Sequence, residues 1–232
     1  PERPPGRILR VKDRVLGLGA PLSKPLDGFV AELDQIEAAF SRCRGHSTVD
    51  GFIDYVPSEE GCLFALWDAW SRFLRRVVMS ASSGPVLGLS GVTYTSSATR
   101  SEQAVLAHLL SNKSGQKYKF VNQEPNWHDE AALADIVTVL GLANAQVVIG
   151  AVTATSVQLG PVTVASPLNE IRRARNFSAH KNWKTLLDVS AFARPPHGFV
   201  DLSQHLRSPR SGVETFSEWK DCLAALGAAA VQ

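Results

Sequence analysis

Residues 58–78 read SEEGCLFALWDAWSRFLRRVV, and this stretch decides the fold class. Ser58 followed by two glutamates is typical of a helix start, because a hydroxyl caps the first turn and acidic charge suits the positive end of the helix dipole. Apolar residues then recur at helical spacing and form one broad stripe: Leu63, Leu66, Trp67, Trp70, Phe73, Leu74, Val77 and Val78. We predict a long amphipathic helix whose aromatic stripe packs into a protein core.

Similar patterns predict further helices along the chain. They cover residues 27–42, 101–110, 128–141, 167–189 and 214–230. Asp27 and Ser101 are the expected N-caps of two of them, and His128 or Asp129 starts the third. Pro167 suits a first helical turn, where its missing N–H costs no hydrogen bond.

Two long stretches without a charged residue, 77–99 and 136–169, interrupt the helical pattern. Their glycines, hydroxyl residues and valines favour a packed loop, a short hairpin or a buried connection. Prolines and glycines predict a loop over 194–212, and five prolines in residues 1–25 predict an irregular basic arm. The whole is a mainly α fold: the arm, then one helical domain over 26–232, with one or two short β excursions in the uncharged segments.

The formal net charge is only +2, but the charge is unevenly distributed. Residues 1–24 carry six Lys/Arg and two acids, and residues 170–184 carry five Lys/Arg and one acid. Basic patches are where polyanions dock, although a solvated helix face gives the same pattern. Three cysteines without a CxxC pair, and no apolar run of about 18 residues, predict a reduced cytoplasmic protein that does not span a membrane.

Most enzyme signatures are absent from the sequence. The run at 88–91 does not complete a GxSxG motif, and the glycines at 17–19 are not followed by a Walker lysine. The histidines show no metal-ligand spacing, and Cys43-x-x-His46 is an isolated pair. We therefore expect no metal and no other cofactor.

One segment combines the groups that metal-free RNA cleavage requires. Residues 172–181 read RRARNFSAHK. The imidazole of His180 suits proton transfer between the ribose 2′-OH and the leaving 5′-oxygen, since it titrates near neutral pH. The guanidinium of Arg175 suits the negative charge that develops on the phosphorane. Four further basic residues are candidate RNA-binding groups for adjacent phosphates: Arg172, Arg173, Lys181 and Lys184.

This segment resembles the Arg-x(4–6)-His signature of HEPN domains, here as Arg175, four intervening residues and His180. Asn176 matches the polar residue that many HEPN nucleases carry after the arginine. The Trp-rich helix around 66–74 resembles the early helix of the RiboL-PSP group and a related HEPN group. The resemblance implies a HEPN-like helical bundle, a homodimer, and metal-independent endoribonuclease activity in toxin–antitoxin, phage-defence or CRISPR settings. It implies Arg175, His180 and Asn176 as catalytic residues, and allows a separately encoded antitoxin or defence-system partner protein.

The spacing of the motif leaves alternatives open. Residues five apart lie about 140° apart around an ideal helix. Arg175 and His180 therefore converge only if the helix ends or bends between them, or if two copies face each other across a two-fold axis. The uncharged stretches are the candidate dimer surfaces. In the plainer interpretation, Arg175 forms a salt bridge with Glu170 or Glu32, His180 merely ends a helix, and the chain is a non-catalytic module that binds RNA, a nucleotide or a partner protein.

Overall fold

The computed structural model describes residues 21–43, 57–97, 100–111, 125–192, 201–210 and 212–232. The predicted basic arm lies outside the described residues up to position 20, and so does His46. Within the described ranges the chain is mainly α-helical with short antiparallel hairpins, which confirms the predicted fold class. None of the helices in these ranges has the length and apolar character that crossing a membrane requires.

Nine helices are found in the described ranges. Four of them build the centre of the molecule: α1 (Ser23–Arg42), α2 (Pro57–Ser83), α6 (Pro167–His180) and α9 (Thr215–Ala230). Five shorter helices surround them: α3 (Glu102–Ser111), α4 (Glu130–Val139), α5 (Ala145–Val152), α7 (Trp183–Ser190) and α8 (Leu202–Arg207).

The strands form three separate two-stranded antiparallel hairpins. They are β1 (Val86–Leu87) with β2 (Thr93–Tyr94), β3 (Ser156–Leu159) with β4 (Val162–Ala165), and β5 (Pro209–Arg210) with β6 (Val213–Glu214). The first two lie in the uncharged stretches, where β structure was predicted. Gly160 closes the second turn with φ +57°, a backbone conformation that favours glycine.

The core is an aromatic cluster at the meeting of α1, α2 and α9. Phe29 of α1 packs on Phe73 and Trp70 of α2, with ring centroids 4.5 and 5.9 Å apart. At the other end of α1, Phe40 stacks on Phe216 of α9, with centroids 4.0 Å apart and planes 7° from parallel. Every residue of the predicted α2 stripe is buried, so this stripe is core as expected.

Two predicted caps are confirmed, while two helix boundaries lie outside the predicted ones. The Ser101 hydroxyl accepts from the Ala104 N–H at 3.3 Å, and the Asp129 carboxylate accepts from the Ala132 N–H at 2.8 Å. However, the predicted caps Asp27 and Ser58 are wrong, because α1 begins at Ser23 and α2 begins at Pro57. Helix α2 also runs on to Ser83. Both extensions add turns to the central helices.

Two predictions of local structure are wrong. Residues 145–152 form α5 rather than a hairpin or connection, because Val148, Ala151 and Val152 are buried on a helical face and the helix packs against α9. The segment 194–212 is not simply a loop, since its described part holds α8 and strand β5. The Asp201 carboxylate accepts from the Gln204 N–H at 2.7 Å and caps α8.

Candidate active site on helix α6

The motif residues lie on a single helix that begins and ends for local reasons. Pro167 occupies the first turn of α6, as the sequence predicts. Lys181 adopts the left-handed conformation (φ 43°), and its N–H donates to the Phe177 carbonyl at 2.8 Å. Asn182 and Thr185 then form a capping box that starts α7. The predicted continuation through 189 is therefore two helices, and His180 is the last residue of the first.

One side of α6 is fixed to the core. Ile171, Ala174 and Ser178 are buried at helical spacing, and the helix packs against α2 and α9. The buried Glu170 carboxylate accepts from the Trp219 indole N–H at 3.2 Å. The core therefore sets the rotation of α6, and with it the directions in which the basic residues project.

Arg175 is held half-buried beside α2. Its guanidinium carbon lies 5.1 Å from the ring centroid of Phe64, within the range of a cation–π contact. Its Nη1 lies 3.5 Å from the Asn176 Oδ1, at the limit of a hydrogen bond, and its buried Nε has no hydrogen-bond partner among the described residues. Glu32, one of the acids considered as a partner, pairs with Arg72 at 2.5 Å. The arginine is thus placed by an aromatic ring and by the residue that follows it.

The structure does not bring His180 to Arg175 within one chain. Helix α6 is continuous through both residues, so their side chains project about 140° apart around its axis. His180 is exposed at the C-terminal end, whereas Arg175 is half-buried. Convergence of the two groups across a two-fold axis stays a prediction.

The four candidate RNA-binding residues fall into two groups. Arg172 donates to the Asn169 Oδ1 of α6 at 2.9 Å, and Arg173 donates to the Asp188 carbonyl of α7 at 3.2 Å. Both line one pocket. Lys181 instead pairs with Glu60 of α2 at 3.2 Å, which ties the end of α6 to the start of α2. Lys184 is exposed on α7.

A second imidazole, that of His128, lies in this region and was not predicted as a site residue. Its ring centroid lies 4.9 Å from that of Trp67, and its Nδ1 lies 3.3 Å from the Ser71 hydroxyl. Burial lowers the pKa of His128, and the positive charge of Arg175 lowers it further. Both effects favour the neutral form of His128, which lies within the electrostatic reach of Arg175. Its sequence position gave no signal of this, because it is far from the motif along the chain.

No group of three or more His, Cys, Asp or Glu side chains placed to hold a metal ion is found within the described ranges. The basic side chains of α6 instead offer hydrogen-bond donors and positive charge, which are suited to an anionic ligand. The chemistry that this surface supports is therefore anion binding, with imidazole groups available for proton transfer.

Comparison of the chain with protein-family models, with curated proteins and with solved structures gave no match. The HEPN resemblance therefore rests on the residues themselves: Arg175, Asn176 and His180 on one late helix. On α6, Arg175 lies over the Phe64 ring and His180 is exposed at the helix end.

Proposed function

We propose that this chain is a metal-independent endoribonuclease of the HEPN type, acting as a toxin or phage-defence effector. The observation that carries the proposal is the position of Arg175. Its guanidinium lies over the Phe64 ring and beside Asn176, on the same continuous helix that ends in the exposed His180. A fixed guanidinium stabilises developing negative charge without reorganising during the reaction.

The reaction uses the 2′-hydroxyl of the substrate as its nucleophile. His180 takes the proton of the 2′-OH as the 2′-oxygen forms a bond to phosphorus, and the bond between phosphorus and the 5′-oxygen breaks. The protonated His180 then gives this proton to the leaving 5′-oxygen as general acid. Arg175 neutralises the phosphorane, and Asn176 orients the guanidinium. The products carry a 2′,3′-cyclic phosphate and a 5′-hydroxyl.

The proposed site is completed by a second copy of the chain. The 140° between Arg175 and His180, about the α6 axis, prevents one chain from presenting both groups to one phosphate. Immediately after His180, Trp183 and Leu187 lie four residues apart on α7 and are 72% and 53% exposed. Such a pair is suited to burial against the same pair of a partner, which a two-fold axis supplies. We therefore propose a homodimer whose axis passes near the end of α6.

The non-catalytic alternative has one observation in its favour, the separation of Arg175 from His180 within a single chain. A binding module requires only basic residues of α6, with Arg172 and Arg173 as phosphate ligands. It predicts RNA binding that falls steeply with salt and is unchanged by His180→Ala. The nuclease proposal predicts turnover, so an assay of the products separates the two.

The nuclease proposal is tested by incubating the purified chain with a mixed tRNA pool and a long transcript in excess EDTA. We expect cleavage, with 2′,3′-cyclic phosphate ends detected by mass spectrometry of the fragments. A matched RNA carrying a single 2′-deoxy nucleotide at a mapped cut site is expected to resist cleavage there, because the nucleophile is missing. Cleavage that needs added metal, or that proceeds at the deoxy position, contradicts the proposed chemistry.

A further inference from the structure

A pocket of about 380 Å³ opens beside the first turns of α6. Trp67 and His128 line it on the side of α2 and α4, and the turn at 152–155 lines it between α5 and β3. Arg172 and Arg173 line it from α6. Small-molecule sites occupy roughly 300–1,000 Å³, so this pocket has room for about one nucleotide.

The charge of the pocket favours an anion. Two guanidinium groups belong to its lining, and their remaining N–H donors are suited to a phosphate. The N-terminal end of α6 also lies here, since Ser166 lines the pocket and no side chain caps this helix. Glu130 is the carboxylate that lines the same pocket, which leaves an excess of positive charge.

The Asn169 side chain and the His128 imidazole add hydrogen-bonding groups suited to a base or a sugar. His128 is positioned by the Trp67 ring and by the Ser71 hydroxyl, while Asn169 is oriented by its hydrogen bond from Arg172. Both residues line the pocket. A site of this kind distinguishes a nucleotide from a bare anion, because it offers partners beyond the phosphate.

We propose that this pocket, defined by Trp67, His128, Asn169, Arg172 and Arg173, is a subsite for one nucleotide of the RNA substrate. The phosphodiester lies against the two guanidinium groups, and the nucleoside lies towards His128. The inference rests on the proposed nuclease function for its choice of ligand, but the pocket lies in one chain and needs no partner copy. It binds the substrate next to the reacting phosphate and takes no part in bond breaking.

The subsite has a pH dependence with a definite sign. Four charged groups act on His128: Arg175 and Arg172 lower its pKa, while Asp129 and Asp68 raise it, and burial keeps the net shift downward. A bound phosphodiester adds negative charge beside the imidazole and favours its protonated form. Because the pKa of His128 is lowered from 6.5, binding is expected to strengthen over the pH range below 6.5. The phosphodiester itself stays ionised across this range.

The test is the binding of a 2′-deoxy dinucleotide, which carries the phosphodiester but lacks the 2′-OH that the proposed reaction consumes. We expect Arg172→Ala and Arg173→Ala each to weaken binding about tenfold in calorimetry at low salt, since each removes charged hydrogen bonds to phosphate. Arg76→Ala, which removes an exposed guanidinium of α2, is the matched control and is expected to leave affinity unchanged. His128→Gln is expected to abolish the strengthening below pH 6.5.

Each outcome bears on the subsite separately from the nuclease. No binding by the wild-type chain, or equal weakening by all three arginine variants, overturns the subsite. So does tighter binding of a free nucleoside monophosphate than of the dinucleotide, because the pocket then serves an effector. If the chain binds the dinucleotide with the expected pattern but cleaves no RNA, the subsite is supported and the nuclease proposal is contradicted. If the wild-type chain cleaves RNA and the KM is unchanged in Arg172→Ala and Arg173→Ala, the nuclease proposal is supported and the subsite is contradicted.

Discussion

Arg175→Lys and His180→Gln are each expected to slow RNA cleavage by about 10²–10⁴, the usual cost of losing a charge-stabilising or proton-transferring group. Lysine keeps the positive charge of Arg175 but lacks the planar pair of guanidinium N–H donors that binds the phosphorane. Glutamine keeps hydrogen-bonding capacity at position 180 but does not exchange protons near pH 7. Both losses should appear in kcat, because neither group is needed to bind the substrate.

These variants need controls for folding, since Arg175 packs on Phe64. The lysine retains an aliphatic stem and a cation over the ring, and His180 is exposed, so we expect thermal midpoints close to that of the wild type. Arg76→Lys is the matched control for an arginine outside the site and should keep full activity. Wild-type rates in both motif variants, with product ends unchanged, would remove Arg175 and His180 from the mechanism.

Arg207→Ala is expected to destabilise the protein by about 3–5 kcal/mol, because it leaves an uncompensated buried charge. The Arg207 Nε donates to the Glu59 Oε1 at 2.8 Å, and Glu59 is fully buried in the first turn of α2. The pair joins the start of α2 to the end of α8. Removing the arginine leaves the Glu59 carboxylate buried without the Arg207 charge, whereas removing both groups leaves no unpaired charge.

Urea unfolding with matched variants measures this effect. Arg72→Ala breaks the exposed ion pair with Glu32 and should cost no more than about 1 kcal/mol, since solvent screens such a pair. The double variant Glu59→Leu with Arg207→Met should recover most of the loss, because it replaces the ion pair by apolar groups. Equal destabilisation by Arg207→Ala and Arg72→Ala would show that the buried ion pair contributes no more to the free energy of unfolding than the exposed one.

The parts of the fold that were predictable are those in which local pattern and tertiary packing agree. The α2 stripe is buried as its spacing requires, and Asp129 and Ser101 cap helices where their side chains suggest. The valines of α5 led to the wrong prediction of a hairpin or connection, because β-branched residues favour strands. In the structure, burial against α9 outweighs that preference. For α8 a signal was present: Asp201 followed three residues later by Gln204 is a helix-start pattern inside a segment otherwise rich in proline and glycine.

The candidate site was predictable only as far as it is local. Arg175, Asn176 and His180 lie on one helix, so their mutual arrangement follows from helix geometry. His128 comes near Arg175 through the packing of the residues around α2, which no spacing within the motif encodes. The pairing of Lys181 with Glu60 likewise depends on two helices meeting in space.

The central claim is that Arg175 of one chain and His180 of another act on the same phosphodiester. The most direct measurement mixes Arg175→Lys with His180→Gln protein, exchanges subunits by dilution and reconcentration, and follows RNA cleavage. Each preparation alone is expected to be nearly inactive, and the mixture should regain cleavage because each heterodimer contains one intact arginine and one intact histidine facing each other. A mixture no more active than its components, despite exchange confirmed by mass labelling, would contradict a site shared between two chains.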